Sequence, residues 1–475
     1  MARHYDVVII GAGPAGMAAA AFLGRTGMDV LVLDEQARPG GQIYKNIEGA
    51  DADQLNLFGT DYRDGLKLAE NFRKVDVTYE NQALVWQVET EGWVSYSRAG
   101  ASKRVRANYI IAATGAMERP MPIPGWTLPG VMGAGAVNNL AKEANLAPEG
   151  PVVLAGSGPL LLLEASLLLK KGVAIAAILE TGASLPPVKS IPKLPPALLR
   201  WDFLQKGVSM LHEIRTSRVP HYKGITRLRA LGRDVLEGVS ARAGGKTLNF
   251  ETQTLLLHFG VIPNTHIFRQ MGCRMAWQED QRYWYPVGDT WGRTNFERIF
   301  AAGDGSGVQG GVAAQYKGQL AALEIAACSG MISMEERDRL ADPIRRALAH
   351  DGLPRPFVDA MYAPRETDFL FEPETVICRC ENVTVAQVRQ AVDEGVRDLN
   401  ELKILTRCGM GPCQGRMCGP ALAEILGQEL SLAPDRVGQL SVRPPITPLP
   451  LGEIAAMDLG DNDAPAGNWL LDKKK

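Results

Sequence analysis

Apolar residues near the N-terminus form short continuous runs that end at glycine. The run YDVVII (residues 5–10) precedes GAGPAG, an alanine-rich stretch follows to about Gly27, and the apolar run of MDVLVLDEQ comes next. Short β-branched runs of this kind predict buried strands, and the alanine-rich stretch between them predicts a helix. The chain is therefore expected to begin with a strand–helix–strand unit.

The same pattern returns at Pro151, where PVVLAGSGP is followed by an apolar helix and then by VAIAAILE. Further strand-like runs are YIIAATG (109–115), TLLLHFG (254–260) and RIFAAGDG (298–305), and each of them includes a terminal glycine. Strands end in this way when they deliver backbone to a ligand at the carboxyl edge of a parallel sheet. Two such units predict an α/β fold with two Rossmann-like dinucleotide-binding domains, the second inserted in the first.

This pattern divides the chain into five parts. We expect a first nucleotide-binding domain over 1–120 and 265–345, a second over 121–264, a linker over 346–372, a cysteine module over 373–430 and an extended proline-rich tail over 431–475.

Composition adds little specificity. The chain is 46% hydrophobic and 22% charged, and its net charge of −2 gives no reason to expect nucleic acid as a partner. The N-terminal apolar run of about five residues is too short for a signal peptide. The most hydrophobic window is interrupted by Glu164, Lys170 and Lys171, so no transmembrane segment is expected. We expect a cytoplasmic protein, with a peripheral position at the inner face of the cell membrane as the alternative.

The first glycine-rich turn has the spacing of a dinucleotide site. Gly11 permits the tight turn, Gly13 lets a pyrophosphate approach the backbone, and Gly16 lets helix and strand pack closely. The next strand ends at Asp34 and Glu35, where an acid should bond ribose hydroxyls. Asp34 is the first choice because it directly follows the apolar run, and Glu35 is the second.

Three further motifs resemble those of the two-dinucleotide-domain flavoprotein oxidoreductases. They are the stretch from Thr294 to Asp304 that ends in Ile-Phe-Ala-Ala-Gly-Asp, the turn with Thr114 and Gly115, and the turn with Gly41 and Gln42. The resemblance implies FAD at the first site, with Asp304 bonding the ribityl chain and the two turns on the flavin side.

The chain also departs from the disulfide reductases of that fold. No cysteine pair occurs in GGQIYKNIEG or GVMGAGAVNNL, and Cys273 and Cys328 are isolated, so each is expected to be a small buried side chain. No general base can be named, and the scattered histidines give no support for a zinc hydrolase.

The second glycine-rich turn is degraded. Gly156 and Gly158 are present, but Leu161 stands where a third glycine belongs, and Glu180 at the end of the next strand could hold a ribose. The sequence leaves three interpretations open: NAD, another adenine nucleotide such as ATP, or a fold that binds no nucleotide.

Five of the seven cysteines lie between Cys378 and Cys418. Four thiolates on glycine-rich turns are the usual ligands of an iron–sulfur cluster. Zinc remains an alternative for such a group, but the CxxC pairs that zinc sites commonly use are missing. Between the cysteines, ENVTVAQVRQAVDEG predicts a helix with Thr384 as its N-cap, and Pro420 is expected in the first turn of the last helix.

The pattern CRCE…TR-x-GMG-x-CQGR-x-C resembles the small helical [2Fe-2S] domain first seen in bacterioferritin-associated ferredoxin. The resemblance implies Cys378, Cys380, Cys413 and Cys418 as ligands. It leaves Cys408 as a spare thiol, although the sequence does not exclude Cys408 as a ligand.

Over about residues 5–450 the chain resembles the alpha (A) subunits of bacterial heteromeric amine and imino-acid dehydrogenases, through RPGGQIYK, ATGAMERPMPIPGWTLPGVM and TRCGMGPCQGRMC. That family includes opine oxidase, D-hydroxyproline dehydrogenase, dye-linked proline dehydrogenase and hydrogen cyanide synthase. The resemblance implies an amine-oxidase-like flavoprotein as a partner subunit that oxidises the substrate, while this chain passes electrons to a quinone or similar acceptor. FMN at a subunit interface and a small ferredoxin-like subunit are further components that such complexes suggest. A self-contained NADH-dependent reductase of the ferredoxin-reductase branch and a scaffold with idle cofactors are the alternatives.

Overall fold

A computed structural model describes residues 3–182 and 186–457 of the 475-residue chain. Its first part forms a sheet in the order β3-β2-β1-β6-β5-β4, in which β1 runs parallel to β2 and β6. The buried run Val7–Ile10 places β1 in the middle of this sheet. The elements are β1 (His4–Ile10), α1 (Pro14–Leu23), β2 (Val30–Leu33), α2 (Ala52–Arg73), β3 (Thr78–Glu80), β4 (Leu84–Val88), β5 (Trp93–Arg98), β6 (Ala101–Ala112) and β7 (Ala116–Glu118).

The next part builds a second, wholly parallel sheet in the order β11-β10-β9-β15-β8, with an antiparallel meander β12-β13-β14 beside it. Strand β16 pairs with β7, which joins the two parts. The elements are β8 (Val131–Gly133), α3 (Ala134–Ala144), β9 (Val152–Ser157), α4 (Pro159–Lys170), β10 (Ile175–Glu180), α5 (Leu194–Leu198), α6 (Trp201–Thr216), β11 (His221–Tyr222), β12 (Thr226–Leu231), β13 (Gly238–Ala243), β14 (Lys246–Glu251), β15 (Thr254–Phe259) and β16 (Val261–Pro263).

The chain then returns to the first sheet, where a strand from residues 299–301 pairs in parallel with β6. This return is the topology expected of a domain inserted in another. The elements are α7 (His266–Gln270), β17 (Met275–Gln278), β18 (Tyr283–Pro286), β19 (Ile299–Ala301), α8 (Gly311–Cys328), α9 (Met334–Gly352) and α10 (Arg355–Met361).

The segment expected to be an irregular linker is more helical than its prolines suggest. Helix α9 extends to Gly352 despite Pro343 in its interior, and α10 begins directly after Pro354. Pro356 lies in the first turn of α10, where the missing N–H has no helical partner in any case. Proline content alone therefore does not make this segment irregular.

The cysteine module is a small helical unit. Helix α11 begins after Thr384, whose side chain accepts a hydrogen bond from Gln387 in a capping box, as the sequence predicts. Pro420 lies in the first turn of α13, which also agrees with the prediction. The elements are β20 (Val376–Cys378), β21 (Val383–Thr384), α11 (Val385–Asp393), α12 (Leu399–Thr406), α13 (Gly419–Leu430), α14 (Pro434–Val437) and α15 (Leu451–Ala455).

The module packs against the second part of the chain through a shared hydrophobic core that includes Trp126 and Val239 on one side and Val385 and Leu422 on the other. The Trp126 indole N–H donates to the carbonyl of Val376 at 2.6 Å. Up to residue 457 the tail has two short helices and otherwise no regular secondary structure, and its predicted continuation over 458–475 lies outside the described residues. Within residues 3–182 and 186–457, no helix has the length and apolar character needed to cross a membrane.

Candidate functional site

The turn after β1 has the geometry of a phosphate-binding loop. Gly11 has a φ of +102°, and a Cβ atom there would lie 2.5 Å from the Ala113 carbonyl oxygen. A Cβ atom on Gly16 would lie 1.8 Å from the Gly11 carbonyl oxygen, so Gly16 allows the close packing of α1 on β1. At Gly13, by contrast, a Cβ atom would meet only Gly41 Cα at 3.7 Å, which leaves space for a ligand. Glycine is thus favoured at these three positions for three different physical reasons.

The N-terminus of α1 points its free backbone N–H groups toward this space. The N-cap position is Gly13, and among the described residues no side chain caps the helix. Uncapped N–H groups at a helix N-terminus favour an anion such as a pyrophosphate.

Asp34 is buried at the end of β2. Its carboxylate accepts hydrogen bonds from the backbone N–H groups of Ala12 and, at 2.6 Å, Gln36. Burial raises the pKa of Asp34 to about 6 against the effect of these bonds. Each carboxylate oxygen has a second lone pair, so the group can still accept a ribose hydroxyl. Both Asp34 and Glu35 line the cavity described next, and the choice between them stays a prediction.

A cavity of about 1020 Å³ extends from this turn toward the second sheet. A volume of this size suits an elongated cofactor rather than a small metabolite. Most residues predicted at the first nucleotide site line it, and Gly16 is the exception because it packs inside the βα unit. The lining residues are Gly11, Gly13, Asp34, Glu35, Gly41, Gln42, Thr114, Gly115 and Asp304.

Asp304 lies in the turn before α8, close to the N-terminus of α1, since a Cβ atom on the preceding Gly303 would lie 2.9 Å from Ala15 Cβ. Its Oδ1 accepts hydrogen bonds from the backbone N–H groups of Gln309 at 2.8 Å and Gly310 at 2.9 Å. These bonds hold the carboxylate at the cavity wall and leave Oδ2 without a hydrogen bond to any described residue. The residues present therefore fit FAD: glycine turn, helix N-terminus, ribose acceptor and a second acid.

The wall of the large cavity toward the second sheet contains polar side chains that the sequence did not single out as site residues. Lys142 on α3 is buried and donates from Nζ to the Ile43 carbonyl at 2.8 Å, and burial lowers the pKa of Lys142 to about 8. Glu164 on α4 is fully buried. The Asn138 amide approaches Glu164, but neither carboxyl oxygen has a hydrogen bond of normal geometry to a described residue. The only sequence signal for Glu164 is a charged residue inside the apolar run PLLLLEASLLL.

Burial raises the pKa of Glu164 from 4.5 to about 8, so this residue should make stability depend on pH. The native state keeps the proton up to about pH 8, whereas the unfolded chain releases it near pH 4.5. The contribution of Glu164 to stability is therefore complete below pH 4.5 and is lost as the pH rises through this window, at a rate of at most about 1.4 kcal/mol per pH unit.

The variant Glu164→Gln has a neutral side chain of the same shape and should remove this dependence. We expect the melting temperature of the variant to fall less between pH 5 and pH 8 than that of the unaltered protein. Thermal unfolding followed by circular dichroism at several pH values measures the difference. Parallel curves for the two proteins would show that Glu164 is ionised in the native state.

A smaller cavity of about 90 Å³ lies between α7, β18 and the cysteine module. Its walls carry the guanidinium groups of Arg269, Arg282 and Arg416 and the indole of Trp284. Arg282 is paired with Glu424 at 2.5 Å. Arg416 and His266 line both cavities, so the smaller one adjoins the larger.

The degraded second glycine turn does not open onto either cavity, since Gly156, Gly158 and Glu180 are absent from the walls of both. Gly156 has a φ of +135°, and a Cβ atom there would lie 1.7 Å from the His258 carbonyl oxygen. The Glu180 carboxylate is 3.3 Å from Lys223 Nζ and 3.4 Å from His221 Nε2. Burial would raise the pKa of Glu180, but its interactions with His221 and Lys223 lower it. The three interpretations of this site stay open.

The structure brings the five clustered cysteines into two neighbouring groups. The thiols of Cys408 and Cys418 lie within hydrogen-bonding reach of Cys378, and Cys413 lies within reach of Cys380. Hydrogen bonds from Cys408 and Cys418 lower the pKa of Cys378. The same bonds raise the pKa of the Cys408 thiol and of the Cys418 thiol. Cys408 is therefore not remote from the predicted ligands, although the sequence suggested it as a bystander.

This thiol set fits a cluster by its chemistry rather than by a preformed geometry. Within the described part of the chain, no three or more His, Cys, Asp or Glu side chains are arranged to hold a metal ion. The loop is nevertheless shaped for close approach, because a Cβ atom on Gly411 would lie 2.1 Å from Cys380 Cβ. Sulfur donors on such a glycine-rich loop suit iron–sulfur ligation, and the choice of four among the five thiols stays a prediction.

The two remaining cysteines differ from each other. Cys273 is buried, as expected for a small apolar side chain. The same expectation is wrong for Cys328, which is exposed at the last residue of α8 and accepts a hydrogen bond from Arg293 at 3.3 Å. A helix that ends at the surface exposes its final side chain whatever its polarity.

Three residues of the cysteine module, Pro412, Cys413 and Arg416, line the same large cavity as the first glycine turn. The predicted nucleotide site and one of the predicted cluster ligands therefore share a wall. Sequence analysis named Cys413 but not Arg416, whose only signal is its place in the CQGRMC stretch.

Comparison with known proteins identifies the family of the chain. The family model described as pyridine nucleotide-disulphide oxidoreductase matches residues 5–322, and the model described as sarcosine oxidase A3 domain matches residues 372–458. The chain is 41% identical to the A subunit of opine oxidase from Agrobacterium tumefaciens (strain Ach5), over 96% of this chain and 92% of that protein. It is 32% identical to the HcnB subunit of hydrogen cyanide synthase from Pseudomonas protegens, over 95% and 97% of the two chains.

Among solved structures, L-proline dehydrogenase from P. horikoshii superimposes with a TM-score of 0.71. The superposition covers 95% of this chain and 80% of that one at 20% sequence identity, so it shows a common fold.

Proposed function

Because this chain belongs to the pyridine nucleotide-disulphide oxidoreductase family and to the family of the opine oxidase A subunits, we propose that it is the electron-transferring subunit of a heteromeric dehydrogenase of amino or imino acids. The chain is an FAD-dependent oxidoreductase, and its relatives are named as subunits of opine oxidase, hydrogen cyanide synthase and sarcosine oxidase. The proposal has three parts: which subunit oxidises the substrate, that this chain binds the cluster, and which acceptor receives the electrons.

The observation that carries the proposal is the shared cavity wall. Gly11, Gly13 and Asp304 on one side and Cys413 on the other face a single space. FAD bound there would supply an acceptor for the two electrons of a C–N bond oxidation, and a [2Fe-2S] cluster would supply a carrier of one electron at a time. Electron transfer depends on proximity, so the position of Cys413 on the wall of the predicted flavin cavity supports a relay.

Each part of the chain has a stated task in this relay. The N-terminus of α1 and Gly13 hold the pyrophosphate, Asp34 holds the ribose and Asp304 holds the ribityl chain. The thiolates of Cys378, Cys380, Cys413 and Cys418 hold the cluster; Cys378 and Cys418 are buried, whereas Cys380 is exposed at the surface.

The proposal assigns oxidation of the substrate to an amine-oxidase-like flavoprotein that acts as the partner. The substrate class is an opine, hydroxyproline, proline or glycine, in keeping with the relatives. Oxidation of the C–N single bond to C=N releases two electrons and two protons, and the electrons pass through this chain to a quinone or similar acceptor.

Purification of the chain with and without its partner tests this division of labour. We expect the isolated chain to contain FAD and iron. It should not reduce an artificial electron acceptor when any of these substrates is added. The reconstituted complex should do so with one of them. Substantial dehydrogenase activity of the isolated chain would contradict the proposal.

The same preparation tests the NADH-dependent reductase. The second glycine turn opens onto neither cavity, and Glu180 is engaged by Lys223, so we expect NADH to leave the flavin absorbance of the isolated chain unchanged on the timescale of mixing. Rapid bleaching by NADH would instead favour the self-contained reductase.

A further inference from the structure

Two arginine side chains, Arg269 from α7 and Arg416 from the cysteine loop, are half-buried on the wall of the small cavity. Arg416 donates from Nη1 to the carbonyl oxygens of Cys413 at 3.3 Å and Ile446 at 3.1 Å. Arg269 donates from Nη2 to the carbonyl oxygen of Leu440. Arg416 therefore holds the loop that carries Cys413 and Cys418, and Arg269 holds Leu440, whose side chain packs on that loop at Gly409 and Gly415.

In the described part of the chain, neither arginine has a carboxylate partner. Arg282, on the wall of the same small cavity, is paired with Glu424, but within the described residues no ion pair engages Arg269 or Arg416. Their bonds to carbonyl oxygens satisfy hydrogen-bond donors without neutralising charge. A half-buried cation without an ion-pair partner is less favourable than a paired one, so a negative charge nearby would stabilise this arrangement.

The two cations also act on each other and on their neighbours. Burial lowers the pKa of Arg269 to about 10, with a further contribution from Arg416, so Arg269 is still charged at neutral pH. Burial likewise lowers the pKa of Arg416, while the charge of Cys413 acts in the opposite direction. His266, between them, has its pKa lowered to about 3 by burial and by both arginines, so it adds no charge of its own. Its Nε2 donates to the Gln414 carbonyl at 2.9 Å.

Cys413 is the strongest negative charge acting on Arg416, and Glu35 acts on it more weakly. A [2Fe-2S] cluster held by four thiolates is an anion, and uptake of one electron makes it more negative. Positive charge beside such a cluster favours the reduced form, because the attraction grows when the electron arrives.

We propose that Arg269 and Arg416 are the counter-charges of the predicted cluster and raise its reduction potential, which directs electrons from the flavin cavity to the cluster. The inference rests on the proposed function, since it requires a cluster on these thiols. Arg416 also lines the large cavity together with Cys413, so its charge lies at the boundary between the two redox sites.

Charge-removing and charge-keeping variants separate this electrostatic role from a structural one. The variants Arg269→Gln and Arg416→Gln keep a side chain that can donate to a carbonyl but lose the charge, whereas Arg269→Lys and Arg416→Lys keep the charge. A unit charge at this range in a partly buried site is worth about a tenfold change in the equilibrium for one-electron reduction. For one electron this corresponds to about 59 mV.

Redox titration of the purified full chain, followed by electron paramagnetic resonance of the reduced cluster, measures the potential. Iron content and the visible spectrum report whether each variant retains the cluster. We expect the reduction potential of the cluster to fall in both glutamine variants, and to fall further in Arg416→Gln than in Arg269→Gln. In the lysine variants the potential should change by no more than about a third of the shift seen in the matching glutamine variant. Loss of the cluster from the glutamine variants with retention in the lysine variants would support the same role, because only charge differs.

An unchanged or higher potential in the glutamine variants would overturn the inference, and so would lysine variants that match them. Either result leaves the proposed function intact, because the unaltered chain would still carry a reducible cluster. A chain that binds no iron would overturn both proposals at once.

Discussion

Replacement of Cys413 by alanine should remove the iron–sulfur absorbance and most of the iron from the purified chain, whereas replacement of Cys408 by alanine should leave both in place. Cys413 lies within hydrogen-bonding reach of Cys380 and lines the flavin cavity. A [2Fe-2S] cluster needs four protein ligands, and loss of one leaves an iron exposed to water. We therefore expect iron content to fall at least about tenfold in the Cys413→Ala variant.

Retention of the cluster in the Cys408→Ala variant is the stricter test of the ligand assignment. Cys408 is fully buried and lies within reach of Cys378, so the structure offers it as a rival ligand. The variant Cys328→Ala, outside the module and exposed, controls for nonspecific effects of removing a thiol. Loss of the cluster from Cys408→Ala together with its retention in Cys413→Ala would show that the ligand set is Cys378, Cys380, Cys408 and Cys418.

The second large effect should come from Gly13→Ala, which we expect to abolish stable FAD binding without unfolding the chain. The added methyl group meets only Gly41 Cα at 3.7 Å, so the protein itself can accommodate it. The methyl group would, however, occupy the space through which the pyrophosphate approaches the backbone. We expect affinity for FAD to fall about hundredfold or more, which corresponds to about 3 kcal/mol.

Fluorescence titration of the flavin-depleted chain with FAD measures this affinity, and circular dichroism confirms that the fold is retained. The variant Gly207→Ala is the matched control, because a Cβ atom there has no described neighbour within 4 Å and the residue lies inside α6. Unchanged FAD affinity in Gly13→Ala would show that the cofactor does not approach the chain at this turn.

Local sequence predicted the parts of the site that depend on local geometry. Two such parts are the strand–turn–helix with Gly11, Gly13 and Gly16 and the capped helix after Thr384. Both depend on residues that are close together in the chain, so their patterns can be recognised in the sequence. The α/β class was also predictable from local sequence. Two of the glycine-terminated runs that indicated it, those containing Ala112 and Ala301, lie on adjacent parallel strands.

The residues that escaped prediction depend on contacts between distant segments. Lys142 and Glu164 become part of a cavity wall only when α3 and α4, which pack on the second sheet, approach the first part of the chain near Ile43. Arg416 gains its place only when the cysteine loop docks beside α7. The even five-residue step of Cys408, Cys413 and Cys418 likewise gave no hint that Cys408 and Cys418 approach Cys378 while Cys413 approaches Cys380.

The central claim is that electrons from an amino or imino acid reach the cysteine module of this chain through a partner subunit. Electron paramagnetic resonance of the reconstituted complex, frozen after addition of substrate in the absence of an acceptor, tests it most directly. A reduced [2Fe-2S] signal should appear in the complex, and it should be missing from the isolated chain and from a complex built with Cys413→Ala. Substrate turnover at an undiminished rate with a cluster that stays oxidised, or with no cluster at all, would contradict the claim.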